Sequence, residues 1–199
     1  NEDLQKRGEN TTFLRWMQAL PDTVIQANPA LCLDYAWALA LNGQPDRADG
    51  FLTFAEAAYR DNPARYGAVL SAQIHLARIR HDLPQTISLS QKALSLLPAA
   101  AHDPRSALFL NLGLAHWQQG QIADAEEALA AAQEAADLAQ NHHVRLLAIG
   151  FLGMAQAAQG HLHQAESLLQ SALAWGTDWP ASSLPHLVLG ALYCEWNRL

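Results

Sequence analysis

The sequence is poor in the residues that build sheets, covalent bridges and membrane spans. Isoleucine and valine number six and four among 199 residues, too few β-branched side chains for a fold made of strands. Cysteine occurs twice, as Cys32 and Cys194. That excludes a disulfide framework and fits a reducing, cytoplasmic compartment. No apolar run approaches the ~18 residues that a membrane helix needs; the longest, Leu146 to Ala155, has ten. The amino terminus lacks the basic-then-apolar pattern of a secretion signal. Charged residues make up only 16% of the chain, and the formal net charge is −7. Such a surface repels phosphate backbones, so direct nucleic-acid binding by this segment is not expected. Neither G-x-S-x-G nor G-x-x-x-x-G-K-[ST] occurs, and no constellation supports an enzyme.

What the chain has instead is alanine and leucine, 38 and 33 residues. These are strong helix formers, and with half the residues hydrophobic they point to an all-helical protein with a packed core. The chain also repeats. Turn-like pairs stand at Gly43-Gln44, His81-Asp82, Gly120-Gln121 and Gly160-His161, with weaker copies at Gly8-Glu9 and Asn197-Arg198. Seven residues before the turn stand Ala36, Ile74, Gly113, Gly153 and Gly190. Five after it stand Ala48, Thr86, Ala125 and Ala165, and twelve after it Ala55, Ala93, Ala132 and Ala172. Two antiparallel helices approach closely only where neither side chain is bulky, so small residues at fixed offsets mark the crossings.

Helix-rich segments follow at about 11–20, 30–42, 45–60, 64–80, 84–97, 105–119, 122–140, 143–159, 162–175 and 184–197. Pro29, Pro63, Pro104 and Pro185 sit near the starts of first helices, where a missing N–H costs nothing. Asp61-Asn62, His102-Asp103 and Ser182-Ser183 offer caps. The turn glycines supply the left-handed backbone that ends a helix; His81 must adopt it at some strain. The expected architecture is an α-α superhelix of about five helix-turn-helix units forming one domain over 1–199. Its units are about 1–28, 29–62, 63–102, 103–141, 142–181 and a partial 182–199. Both outer turns cut through a unit and the first residue is Asn, so the chain is expected to belong to a longer protein.

The period and offsets resemble the tetratricopeptide repeat (TPR), whose usual period is ~34 residues. The departure is at four residues before the turn, where Leu39, Ala77, His116 and Gln156 replace the frequent aromatic and only Tyr193 fits. A more specific signal lies in 13–58: Leu14, Trp16, Leu20-Pro21, Pro29, Leu31, Ala36-Trp37, Gly43, Ala48 and Ala55-Glu56. It resembles the start of the helical-repeat region of MalT-like, ATP-dependent LuxR-family transcriptional regulators, with Met17 in place of the usual leucine. The resemblance implies a sensor between a nucleotide-binding domain and a DNA-binding helix-turn-helix. The sensor receives a small-molecule inducer or a regulatory protein and permits oligomerisation. ATP is then expected only on an upstream domain absent here, and this segment carries no cofactor of its own.

Weighed as chemistry, Cys32 reads as a structural thiol at an apolar helix start. Glu126-Glu127 and Glu134 with Asp137 read as solvated helix faces. His142-His143 and His161-x-His163 lie at opposite ends of one helix, ~27 Å apart, too far to share a metal. The concave face of a repeat array is its default binding surface. Six residues before the turn stand Trp37, His75, Leu114 and Met154; three before stand Ala40, Arg78, Trp117 and Ala157. Trp37, His75, Arg78, Trp117 and Gln118 are therefore the candidate ligand- or partner-binding residues, two aromatic platforms with a cation and polar groups. They suit a sugar, a peptide or an anionic metabolite. The alternative function is a generic tetratricopeptide-like scaffold for a partner's peptide.

Overall fold

Alanine, leucine and proline-marked helix starts produce helices and nothing else. The computed structural model describes residues 10–173 and 183–196, and among these there are eleven helices and no strand. They are α1 (Asn10–Gln18), α2 (Asp22–Gln26), α3 (Pro29–Leu41), α4 (Pro45–Tyr59), α5 (Pro63–Ile79) and α6 (Leu83–Leu96). After these come α7 (His102–Gln118), α8 (Ile122–Ala139), α9 (His142–Ala158), α10 (Leu162–Leu173) and α11 (Ser183–Trp196). No described helix is long and apolar enough to cross a membrane. The expected turns at Gly8 and Asn197, and the cap at Ser182, lie outside the described residues.

The four turns that the sequence marks are built alike. Gly43, Gly120 and Gly160 adopt φ of 72°, 74° and 82°, and His81 takes 56°. The residue after each sends its N–H back five residues: Gln44 to Leu39, Asp82 to Ala77, Gln121 to His116 and His161 to Gln156, all at 2.9 Å. This bond satisfies carbonyls that the helix end would orphan. Gln140 ends α8 the same way at φ 55°, unforeseen because no glycine marks it.

Helix starts match the cap chemistry in part. Asn28 Oδ1 accepts from the N–H of Ala30 at 3.1 Å and of Leu31 at 3.4 Å, and Asn62 Oδ1 accepts from Arg65 at 3.3 Å. The expected cap at His102-Asp103 is not made. Both residues lie inside α7, which begins at His102 after Ala101, and Asp103 instead accepts from Asn141 Nδ2 at 2.7 Å. The five-residue α2 was not expected, being too short to show a helical period.

The chain forms two compact units, Asn1–Gln85 and Thr86–Leu199. In the first, α3 and α4 form a hairpin whose crossing uses fully buried Ala48 and Ala55. Tyr35 and Phe51 meet edge to face with centroids 4.8 Å apart, and Arg47 Nη2 donates to the Tyr35 hydroxyl at 3.1 Å. Ile25 of α2 is fully buried, and its carbonyl accepts from the Cys32 thiol at 3.2 Å. Glu56 accepts from Tyr66 Oη and Gln73 Nε2 of α5, at 3.1 and 3.0 Å. Arg80 is clamped between Asp46 and Asp49 at 2.9 and 2.7 Å.

In the second unit, α7/α8 and α9/α10 form hairpins, and α11 packs on both α9 and α10. The core joins Leu110, Ala125, Leu129, Ala132, Ala136, Val144, Ala148 and Leu152. Two of the three glycines expected at helix crossings, Gly113 and Gly153, have leucines over them. A Cβ at Gly113 would stand 2.5 Å from Leu129 Cγ, and one at Gly153 2.9 Å from Leu169 Cδ2. Arg145, buried on α9, meets Asp137 of α8 at 2.6 Å.

Candidate functional site

The first unit brings two of the five candidate residues into contact. Trp37 on α3 and His75 on α5 share one offset from their turns, and these two first helices run parallel, so their packing sets the rings side by side. Their ring centroids lie 5.2 Å apart at 38°. Both rings are half-buried, and His75 Nε2 is wholly buried with no hydrogen-bond partner among the described residues. An orphaned polar atom of this kind calls for an explanation, a ligand being one. Burial lowers the pKa of His75 below its ordinary 6.5, and the nearby charge of Arg78 lowers it further. At neutral pH the imidazole is therefore uncharged and presents one hydrogen-bonding nitrogen. Arg78, one turn further along α5, is exposed and carries no ion pair among the described residues. Its neighbour Arg80 is committed to Asp46 and Asp49, so Arg78 is the cation left to meet an incoming group.

Trp117 and Gln118 belong to the second unit. Trp117 is half-buried against the core that α7, α8 and α9 share, beside Leu114. Gln118 is exposed at the end of α7. On this unit a depression of about 600 Å³ is lined by Gln156, His163, Gln164, Ser167, Leu168 and Ser171. Gln156 Oε1 is buried there without a hydrogen-bond partner. The residue stands four before its turn, the offset at which Leu39, Ala77 and His116 likewise replace the frequent aromatic.

Two of the carboxylates have structural partners. Glu126 accepts from Gln159 Nε2 at 2.6 Å, and Asp137 is paired with Arg145. Asp137 therefore braces α8 to α9 and is not merely solvated. Helix α9 is continuous from His142 to Ala158, which keeps the two histidine pairs at its opposite ends. Burial pushes the Cys32 thiol pKa up, which keeps it protonated and unreactive.

The family "MalT-like TPR region" matches residues 67–199. The match covers the later repeats, not the 13–58 segment whose residues carried the resemblance. Among solved structures, BtubC (BKLC) from P. vanneervenii superposes with a TM-score of 0.73 at 15% identity, over 98% of this chain and 83% of that one. The "kinesin light chain nearly identical TPR-like repeats" of Podosopora anserina superposes at 0.69 with 18% identity, covering 86% and 89%. Its Q17M form gives 0.65 at 21%, covering 84% and 85%. At these identities the likeness is one of fold. A comparison with curated proteins finds no match. The match over residues 67–199, two thirds of the sequence, places this chain in the MalT-like TPR region family.

Proposed function

We propose that this chain is the inducer-sensing and protein-interaction part of a bacterial MalT-like transcriptional activator of the LuxR type, working in the cytoplasm. The observation that carries the reading is the family match over residues 67–199. In this reading the chain performs no catalysis. It receives a small-molecule inducer or a regulatory protein and passes occupancy to flanking nucleotide- and DNA-binding domains of the same protein. Trp37, His75 and Arg78 on the first unit and, separately, Trp117 and Gln118 on the second are the proposed contacts. The tilted Trp37–His75 pair and the exposed Arg78 guanidinium support the first three, since together they offer aromatic surface and a cation. The half-buried Trp117 offers its remaining exposed surface and Gln118 an amide.

The reading frame that encodes the chain tests this directly. A phosphate-binding loop before it and a helix-turn-helix after it are expected. If both are missing, the regulator reading fails. A scaffold holding a partner's peptide is then the better account, a role for which TPR-like repeats are generally used.

A further inference from the structure

Acidic side chains outnumber Lys and Arg in this chain by 19 to 12, so a carboxylate partner for an arginine is easily supplied. Arg80 has two, Asp46 and Asp49, and Arg145 has Asp137. Arg47 and Arg105 hold a hydroxyl and a carbonyl. Arg78 is exposed and makes no hydrogen bond or ion pair among the described residues. Its charge nevertheless reaches His75, one turn back on α5. The nearest acidic residue along α3 is Asp34, one turn before Trp37. Because α3 and α5 run parallel and the rings of Trp37 and His75 lie side by side, Asp34 and Arg78 fall at opposite ends of the ring pair. Six residues of helix rise separate the two levels, about 9 Å at 1.5 Å per residue. Between them neither ring is charged at neutral pH, since burial keeps His75 unprotonated. The aromatic surface is thus neutral in the middle, with a carboxylate at one end and an unpaired guanidinium at the other.

We infer that the first unit takes a small anionic ring compound, its carboxylate or phosphate on Arg78 and its flat ring against Trp37. This rests on the reading of Trp37, His75 and Arg78 as ligand contacts and narrows it to one class. A guanidinium offers two parallel N–H donors that fit either oxyanion. A ring on the half-buried Trp37 gains offset stacking as well as burial. A neutral sugar would leave the charge of Arg78 unused, and a cation would be repelled by it. Asp34 turns the anionic group away from the other end, so the ligand has one orientation.

Calorimetric titration at neutral pH with matched probes tests this. Phenyl phosphate and benzoate carry both ring and charge. Benzyl alcohol keeps the ring without the charge, and inorganic phosphate keeps the charge without the ring. At least one of the first two is expected to bind about tenfold or more tightly than either control, and the tighter of them identifies the anionic group. Added salt should weaken that binding. Arg78→Gln should abolish the preference for the charged probe and Arg78→Lys should keep part of it. Both variants should melt as the parent does, the side chain being exposed. Equal affinity for benzyl alcohol and the anions overturns the charge assignment and leaves the site standing. Inorganic phosphate held as tightly as phenyl phosphate overturns the role of the ring. Anion binding that Arg78→Gln leaves unchanged puts the anion elsewhere and overturns the proposal. So does a chain that ignores both anions but answers a neutral oligosaccharide with a tryptophan signal lost in Trp37→Phe, a result that keeps the ligand site and removes its anionic class. Silence toward every probe, charged or neutral, overturns both.

Discussion

Leu129 lies over Gly113 so closely that a Cβ at residue 113 would stand 2.5 Å from its Cγ and 2.7 Å from its Cδ2. No relaxed side chain tolerates that approach, and both groups sit where α7 crosses α8. Gly113→Ala should destabilise the chain by about 1–3 kcal/mol, overpacking outweighing the gain of about 0.5–1 kcal/mol in helix propensity. Leu129→Ala alone should cost about 2–5 kcal/mol through the cavity it leaves. The double variant should cost clearly less than the sum, because the new methyl enters the space the leucine vacates. Urea unfolding of the four proteins measures the coupling; additive losses would show that the two residues do not press on each other.

The turns make a paired prediction. Gly160 stands in open space at φ 82°, so Gly160→Ala meets only backbone strain and should cost about 1 kcal/mol. His81 already bears that strain at φ 56°. His81→Gly should therefore be neutral or stabilise by up to about 1 kcal/mol. Melting temperatures that move in opposite directions are the expected result.

Arg145 and Asp137 couple α9 to α8. The arginine side chain is 10% exposed and its aspartate 40%, so the cost of breaking the pair falls mainly on the buried cation. Burial lowers the Arg145 pKa and Asp137 offsets part of that effect. Asp137→Asn should cost about 1–2 kcal/mol, below the value for a fully buried pair because solvent screens the aspartate. Chemical denaturation of the variant checks this, and a loss near zero would assign the pair to the surface.

His75 gives the chain a pH dependence. Its pKa in the folded protein lies below 6.5, through burial first and Arg78 second. The unfolded chain then binds a proton that the folded chain resists, so this residue's contribution lowers stability as the pH drops below 6.5, until the folded pKa is passed. Above 6.5 the contribution is flat. The groups facing the ring include the uncharged Trp37 and the permanently charged Arg78, neither of which titrates in this window. His75→Phe should flatten the acid limb of Tm against pH between 6.5 and 5, while leaving the neutral limb unchanged in slope.

Much of this was legible because the repeat is written in residues with a backbone reason. Glycines at 43, 120 and 160 mark left-handed turns, and prolines at 29, 45 and 63 mark helix starts. Small residues seven before the turn signalled close crossings, yet the leucine nine after the turn that makes Gly113 and Gly153 necessary went unread. Leucine is too common in this chain to stand out by composition. Helix α2 was invisible because five residues cannot show a period, and Gln140 because a left-handed non-glycine leaves no trace in sequence. The adjacency of Trp37 and His75 follows from their common offset, but the orphaned Nε2 depends on packing. The Trp16 and Leu20 that lent the early segment its resemblance are largely exposed, at 58% and 40%. A pattern of exposed residues carries little packing constraint, and the family match falls on the later repeats.

The central claim is that Trp37, His75 and Arg78 receive a ligand. Intrinsic tryptophan fluorescence, titrated with neutral oligosaccharides, anionic metabolites and short peptides, tests it most directly when run beside Arg78→Ala, which changes an exposed side chain and should fold as the parent does. A saturable response to one ligand class, weakened about tenfold or more by the substitution, is the predicted result. A ligand held equally well by the variant, or no response to any class, would contradict it.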